Sequence, residues 1–246
     1  MLNPPSVHLS VVIPAYNEES RLQLTLGHAV YYLKSQPYEA EILVVNDGST
    51  DGTERVVSPG RSGSVSLRLI NHPDRVNRGK GASVRRGMLG ARGAYRLFMD
   101  ADNSTTLDQV SGFWPFFSEG YDVVIGSRAL EGSVIGLHQA KHKELAGQLG
   151  NWIIRILAVP GIFDTQAGFK VFTRRSAEAI FPRMTIDRWG SDVEILAIAR
   201  LHRYRIREAP ITWIDAPGSK VRTRSYLEVL SEVWRIRQNL KAGLYK

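Results

Sequence analysis

The chain has 246 residues, 43% of them hydrophobic, no cysteine, and a formal net charge of +8 at neutral pH. That length suits one α/β unit with a sizeable core, and a composition without low-complexity tracts excludes disordered and fibrous classes. The lack of cysteine excludes disulfides and thiolate metal sites and makes a reducing compartment the simplest setting.

The opening MLNPPSVHLSVVIP has no basic n-region, so no secretory signal is expected. No uncharged apolar stretch approaches the ~20 residues needed to span a bilayer. The nearest candidate, NWIIRILAVPGIF at 151–163, is interrupted by Arg155 and Pro160. Charge is unevenly placed: from residue 200 onward eleven Lys or Arg face four Asp or Glu, against twenty-one and twenty before it. A basic C-terminal fifth suits an anionic partner such as phosphate groups or a membrane surface; it is equally what a solvated helix face looks like.

In chain order, Val- and Ile-rich runs alternate with helical stretches. Strands are expected at 9–14, 40–46, 65–71, 94–100 and 121–127, and helices at about 18–35, after Asp51, at 79–93 and at 107–118. SPGRSGS (58–64) reads as a flexible surface connection. Beyond residue 127 come a long loop, a helix at about 143–158, a strand at 168–174, a helix at 191–201 and a hairpin or strand pair at 204–214. The final stretch is an amphipathic helix with Tyr226, Leu230, Val233, Leu240 and Leu244 near one face and Arg235, Arg237 and Lys241 mostly elsewhere. No repeat or linker divides the chain, so 1–246 is read as one domain, with a core at about 9–221 and the basic helix at about 222–246. Such alternation implies an α/β fold with a mostly parallel sheet covered by helices on both faces. Ligands of such sheets sit beyond the carboxyl ends of the strands, where PAYNEE, NDGSTDGT, DADNST and GSRA lie.

In DADNST, Asp100 and Asp102 stand two positions apart at a strand end, where alternate side chains share a face. Two adjacent anions repel, a cost that makes sense if a divalent ion sits beside them; hard oxygen donors of this kind suit Mg²⁺ or Mn²⁺ shared with substrate phosphates. The plain alternative is a helix cap. Asp47 in NDGSTDGT is placed to accept from a ribose hydroxyl or base N–H, or merely to turn the chain. NRGKGAS opens a helix with glycines and Lys80, allowing close approach of phosphate, but it is neither a Rossmann fingerprint nor a P-loop. Arg128, Lys141, Lys143 and Lys220 are candidates for a second anion. The six histidines lack metal-ligand spacing, and no GxSxG or HExxH motif supports a hydrolase.

VVIPAYNEE, VVNDGSTDGT, NRGKGAS and MDADNST, in this order and on this strand pattern, resemble the inverting glycosyltransferases of family 2, which have the nucleotide-sugar-binding GT-A fold. GSRA, DTQAGFKVFTR, DRWGSDVEIL and ITWIDAPGSKV are similar to the dolichyl-phosphate glucosyltransferase and mannosyltransferase group, the glucosyl branch above all. The similarity runs from about Leu9 to Val221. It implies a nucleotide pocket lined by Pro14, Tyr16, Asn17 and Glu18, with Asp47 near the base or ribose and Lys80 and Gly81 beside the diphosphate. Asp100, Ala101 and Asp102 would border the donor, the two aspartates forming the metal pair with Asp102 the direct ligand. Gln166 would border the sugar, Lys220 would reach the phosphates, and Trp189 and Asp192 would line the floor. Arg128, Lys141 and Lys143 would face the acceptor phosphate. Asp192 would act as a base for a hydroxyl acceptor and would otherwise orient neighbours. Asn46 departs from the first Asp of many relatives.

The activity so implied is transfer of a hexose, with UDP-glucose the expected donor, to a polyprenyl or dolichyl phosphate by a Mg²⁺- or Mn²⁺-dependent enzyme. A peripheral location on the cytoplasmic face of a membrane is expected, through the basic helix and with a membrane-protein partner allowed. The alternatives are a GDP-mannose donor, a hydroxyl acceptor, and a silent nucleotide- or membrane-binding module. A basic tail without a recognition motif gives no ground for nucleic-acid binding.

Overall fold

The computed structural model describes residues 7–136, 154, 157–215 and 223–246. The chain begins with β1 (Leu9–Ala15), α1 (Glu19–Lys34), β2 (Ala40–Asn46), β3 (Gly60–Ser62), β4 (Val65–Asn71), α2 (Lys80–Gly90) and β5 (Tyr95–Met99). A 3-10 segment at Leu107–Phe113 leads into α3 (Trp114–Ser118), then β6 (Val123–Ser127) and β7 (Val134–Ile135). The described remainder holds β8 (Phe169–Thr173), α4 (Arg174–Ile180), α5 (Ser191–Leu201), β9 (Ile206–Pro210), β10 (Thr212–Trp213) and α6 (Thr223–Ala242).

Eight strands form one sheet in the order β3-β4-β2-β1-β5-β8-β6-β9, and β7 and β10 make a separate parallel pair. The central strands are buried on both faces because helices cover both, which is why they read as nearly continuous apolar runs. Alternation then divides the core. Val12, Leu43, Val45 and Phe98 pack with α2, α4, α5 and α6, while Val11, Ile13, Ile42, Val44 and Leu97 pack with α1 and the 3-10 segment. Helix α1 meets its side through Leu22, Leu26, Ala29 and Leu33, at helical spacing.

The sheet is mostly parallel, as expected, and β8 is an exception that runs antiparallel to both β5 and β6. Apolar alternation specifies a buried strand but carries no direction. SPGRSGS is more than a loose connection: Gly60–Ser62 pairs antiparallel with β4 as an edge strand. The expected helix at 107–118 is mostly 3-10, with only five α-helical residues behind Pro115 at its start. Nor do residues 204–214 form a hairpin, since β9 joins the main sheet parallel to β6 while β10 crosses to β7. The expected helix at 143–158 lies outside the described residues apart from Ile154, Leu157 and Ala158.

The last helix lays its apolar face on the protein core. Val229, Val233 and Ile236 are fully or nearly buried, and Leu240 packs beside them against the same core as α5. Leu244 is 58% exposed, so the apolar face turns inward and differs from the one read from the sequence. Tyr226 lies outside the residues whose side chains are described. Among the described residues no helix is long and apolar enough to cross a membrane.

Glu194, wholly buried on α5, ties this corner together. Its carboxylate accepts from the backbone N–H groups of Thr185 and Ile186, both at 2.9 Å, and from the hydroxyls of Thr185 and Tyr245, both at 2.7 Å. Removing the acceptor strands several buried donors, each costing on the order of 1–3 kcal/mol. Glu194→Ala should therefore lower the unfolding free energy by about 3–5 kcal/mol. Urea titration checks this, the expected result being a midpoint well below that of the parent protein.

Candidate active site

The carboxyl ends of β1, β2 and β5 open into a cleft of about 680 Å³. Its lining includes Pro14, Tyr16, Asn17, Glu18, Asp47, Lys80, Asp100, Ala101, Asp102 and Trp189. Ten residues singled out in the sequence thus meet at one place, and Arg21, Asn77, Ser83 and Arg188 join them without having been singled out.

Two loops clasp each other on one side. Asn17 adopts a left-handed φ of 51°, and its Oδ1 accepts from Thr50 N at 2.8 Å while its own N–H donates to Ser49 Oγ at 3.0 Å. Glu18 N donates to Thr53 Oγ1 at 2.7 Å, and its carboxylate takes a two-pronged contact from Arg21 at 2.7 and 2.8 Å. Asn46 donates to Asn71 Oδ1 and accepts from Ser49 N, so the residue that departs from the usual aspartate braces the loop. Asp47 is buried and accepts from Arg78 N at 2.8 Å and Gly79 N at 2.9 Å, with His72 Nε2 3.3 Å away. It therefore carries the loop that ends in Lys80. Burial lowers the His72 imidazole below its ordinary range, only partly opposed by Asp47.

Lys80 begins α2 just after Gly79, whose φ of 106° and close approach to the Asp187 carbonyl leave no room for a side chain. Ala82 N of the first turn donates to that same carbonyl at 3.1 Å, and Gly81 is buried against Ile186 and Ser191. Lys80 Nζ lies 2.8 Å from Asp100 and 3.4 Å from Asp192. Burial opposes its charge, but the two carboxylates outweigh burial and hold the ammonium above its ordinary pKa.

The acidic pair sits differently from the same-face expectation, because β5 stops at Met99 and residues 100–102 form a turn. Asp100 N donates to Gly168 O at 3.1 Å, and the Asp100 carboxylate covers Gly168 so closely that a Cβ there would collide with it. Burial and the charge of Asp102 raise the Asp100 carboxyl against the pull of Lys80. Asp102 is half-buried at the cleft, with Oδ1 accepting from Ser104 N at 3.0 Å. The Thr25 hydroxyl of α1 donates to Ala101 O at 2.7 Å and fixes the turn between the two aspartates. Among the described residues no group of three or more His, Cys, Asp or Glu is placed to hold a metal ion. One or two carboxylates beside an open cleft are instead the donor set that Mg²⁺ or Mn²⁺ completes with substrate phosphates and water, so the residues fit such an ion.

Asp192, in the first turn of α5, is 4% exposed and contacts both Lys80 and Lys170. Burial alone would raise its carboxyl, but Lys170 and Lys80 hold it below its usual range. Arg128 lies at the end of β6, where Asp164 grips its guanidinium at 2.7 and 2.9 Å and its backbone N–H at 3.0 Å, with the charge 5.4 Å above the Trp213 ring. Gln166 donates its N–H to Asp164 Oδ1 at 3.4 Å and does not line the cleft. Lys141, Lys143 and Lys220 lie outside the described residues. Asp164, Lys170 and Thr25 escaped sequence reading, although the first two sit inside the quoted DTQAGFK.

The description of Glycosyl transferase family 2 matches residues 10–181. The dolichyl-phosphate beta-glucosyltransferase ALG5A of Trichomonas vaginalis is 36% identical over 261 residues, covering 100% of this chain and 78% of that one. The human dolichyl-phosphate beta-glucosyltransferase is 34% identical over 260 residues (98% and 78%), and that of Saccharomyces cerevisiae is 33% identical over 259 residues (98% and 77%). Among solved structures, glucosyl-3-phosphoglycerate synthase of Mycobacterium tuberculosis with Mn²⁺, UDP-glucose and phosphoglyceric acid superposes with a TM-score of 0.64 at 17% identity, covering 94% of this chain and 80% of that one. TarS of S. aureus gives 0.60 at 17% identity, covering 94% and 71%. At such identities the structural likeness speaks to the fold, which is GT-A. A matched family region of this length, a GT-A sheet and full-length relatives at about one-third identity together make the chain a member of glycosyl transferase family 2.

Proposed function

We propose that the protein is an inverting glucosyltransferase that moves glucose from UDP-glucose to a dolichyl or related polyprenyl phosphate at the cytoplasmic face of a membrane. The observation that carries this reading is the cleft itself: Lys80 and the Asp100–Asp102 turn meet at the sheet edge, in a family 2 chain whose full-length relatives are named for this transfer. The nucleoside would lie along Pro14, Tyr16, Asn17 and Asp47, with the diphosphate turned toward Lys80.

Asp102, with Asp100 beside it, would hold Mg²⁺ or Mn²⁺, which as a Lewis acid neutralises charge on the departing diphosphate. Lys80 adds a fixed ammonium on the same side, kept protonated by its two carboxylate partners. Inversion requires attack on the face of the sugar opposite the leaving group, through an oxocarbenium-like state. A phosphate nucleophile, with its second ionisation near pH ~6, is already anionic at neutrality and needs no base. That suits Asp192, whose carboxylate is buried between two ammonium groups and serves to hold Lys80 rather than to take a proton. Arg128, aligned by Asp164, meets the acceptor phosphate, and the contribution of these groups is chiefly alignment.

The decisive experiment is a donor screen against a short polyprenyl phosphate. UDP-glucose should be turned over and GDP-mannose should not, and the product should carry the β-glucosyl linkage by proton NMR. An α product, or transfer only to hydroxyl acceptors, would overturn the reading. Asp102→Asn should lower kcat/KM by about 10²- to 10³-fold, as for loss of a principal electrostatic group, while circular dichroism stays that of the parent. Activity near the parent level with the same Mn²⁺ dependence would remove Asp102 from its role.

A further inference from the structure

Beneath the cleft lies a charge the proposed transfer does not use. Lys170, on β8, is completely buried. Its ammonium donates to the carbonyl of Ala167 and to Asp192 Oδ1, and stands 5.3 Å above the Phe98 ring. The other oxygen of Asp192 faces Lys80, whose ammonium is shared with Asp100. The contacts form a chain of alternating charge, Lys170, Asp192, Lys80, Asp100, running from the inside of the sheet to the cleft.

Stability does not account for this arrangement. A fully buried ion pair loses so much hydration that packed apolar side chains would do as well or better. Its members come instead from four separate places: β8, the start of α5, the start of α2 and the turn after β5. Asp192 has two cations to satisfy and Lys80 has two anions to choose between, at 2.8 Å and 3.4 Å. Lys80 stands nearer Asp100 because Lys170 already engages Asp192. Without Lys170, Asp192 would be a buried anion with Lys80 as its one remaining ion-pair partner among the described residues, and it would draw that ammonium away from Asp100 and the cleft.

We infer that Lys170 is a positioning residue for the donor site, acting through Asp192 to keep the Lys80 ammonium at Asp100, where it meets the nucleotide diphosphate. This rests on the reading that Lys80 faces a nucleoside diphosphate, and binding of UDP to the parent protein tests that reading by itself.

The test is isothermal titration with UDP on the parent, Lys170→Met and the double variant Lys170→Met with Asp192→Asn. Lys170→Met should weaken UDP binding by about tenfold or more, within the range of coupling between neighbouring charges. The double variant also removes the Asp192 charge that competes for Lys80, and should bind UDP at least about threefold more tightly than Lys170→Met alone. A residue with only a structural role would shift the melting temperature and leave the affinity of the folded protein unchanged. Parent-like binding by Lys170→Met, or a double variant no better than the single one, overturns the inference. If Lys170→Met does not fold, Lys170→Gln takes its place, keeping a donor toward Ala167 and Asp192 without the charge, with the same two outcomes deciding. A parent protein that fails to bind UDP at all refutes the donor-site reading instead.

Discussion

The structure depends on placing one ammonium group, Lys80 Nζ, between carboxylates that belong to different elements. Asp100 closes the turn after β5 and Asp192 opens α5, and neither would lie near the other without the sheet order that puts β8 beside β5. Like charges brought together repel and buried charges lose hydration, so each carboxylate needs a cation and each cation needs more than one partner. The glycines around Lys80 follow from this demand, since the helix start must press against the 186–191 backbone for its ammonium to reach both acids.

A second layer of constraint holds the loops that the cleft is made from. Asp47 carries the backbone ahead of Lys80, Asn17 joins the first two strand-end loops, and Thr25 pins the acidic turn from beneath. These are bonds between backbone and side chain, and they fix the shape of the loops that line the cleft. The result is a pocket whose floor is held in place by the fold. Arg128 is treated similarly: Asp164 holds two of its nitrogens and its main chain, so the plane of its guanidinium is set by the fold.

The C-terminal helix shows how composition can mislead about surfaces. A basic, periodic segment at the end of a chain is what an interfacial helix looks like, yet Val229, Val233 and Ile236 are consumed by the core, and Tyr245 is bound to Glu194 and Asn239. What the segment leaves outward is Arg235, Lys241 and an exposed Trp234. Hydrophobic periodicity reports that a face is buried, but it does not say whether protein or lipid buries it.

Much of the cleft was legible because strand ends in α/β proteins place polar motifs at one edge, and a run such as LFMDAD marks both the strand and its end. The parallel core, α1, α2 and α5 follow from local pattern, since apolar alternation and Gly-flanked helix starts are written in neighbouring residues, whereas most of the ten cleft residues were named through the resemblance to family 2. The direction of β8, the separation of β9 from β10 and the partnership of Lys170 with Asp192 were decided only in three dimensions. Thr25 and Ala101 are 76 positions apart, and Asp164 and Arg128 are 36. A bond between such residues depends on which strands become neighbours, and that is settled by the collective burial of the sheet rather than by any short stretch of sequence.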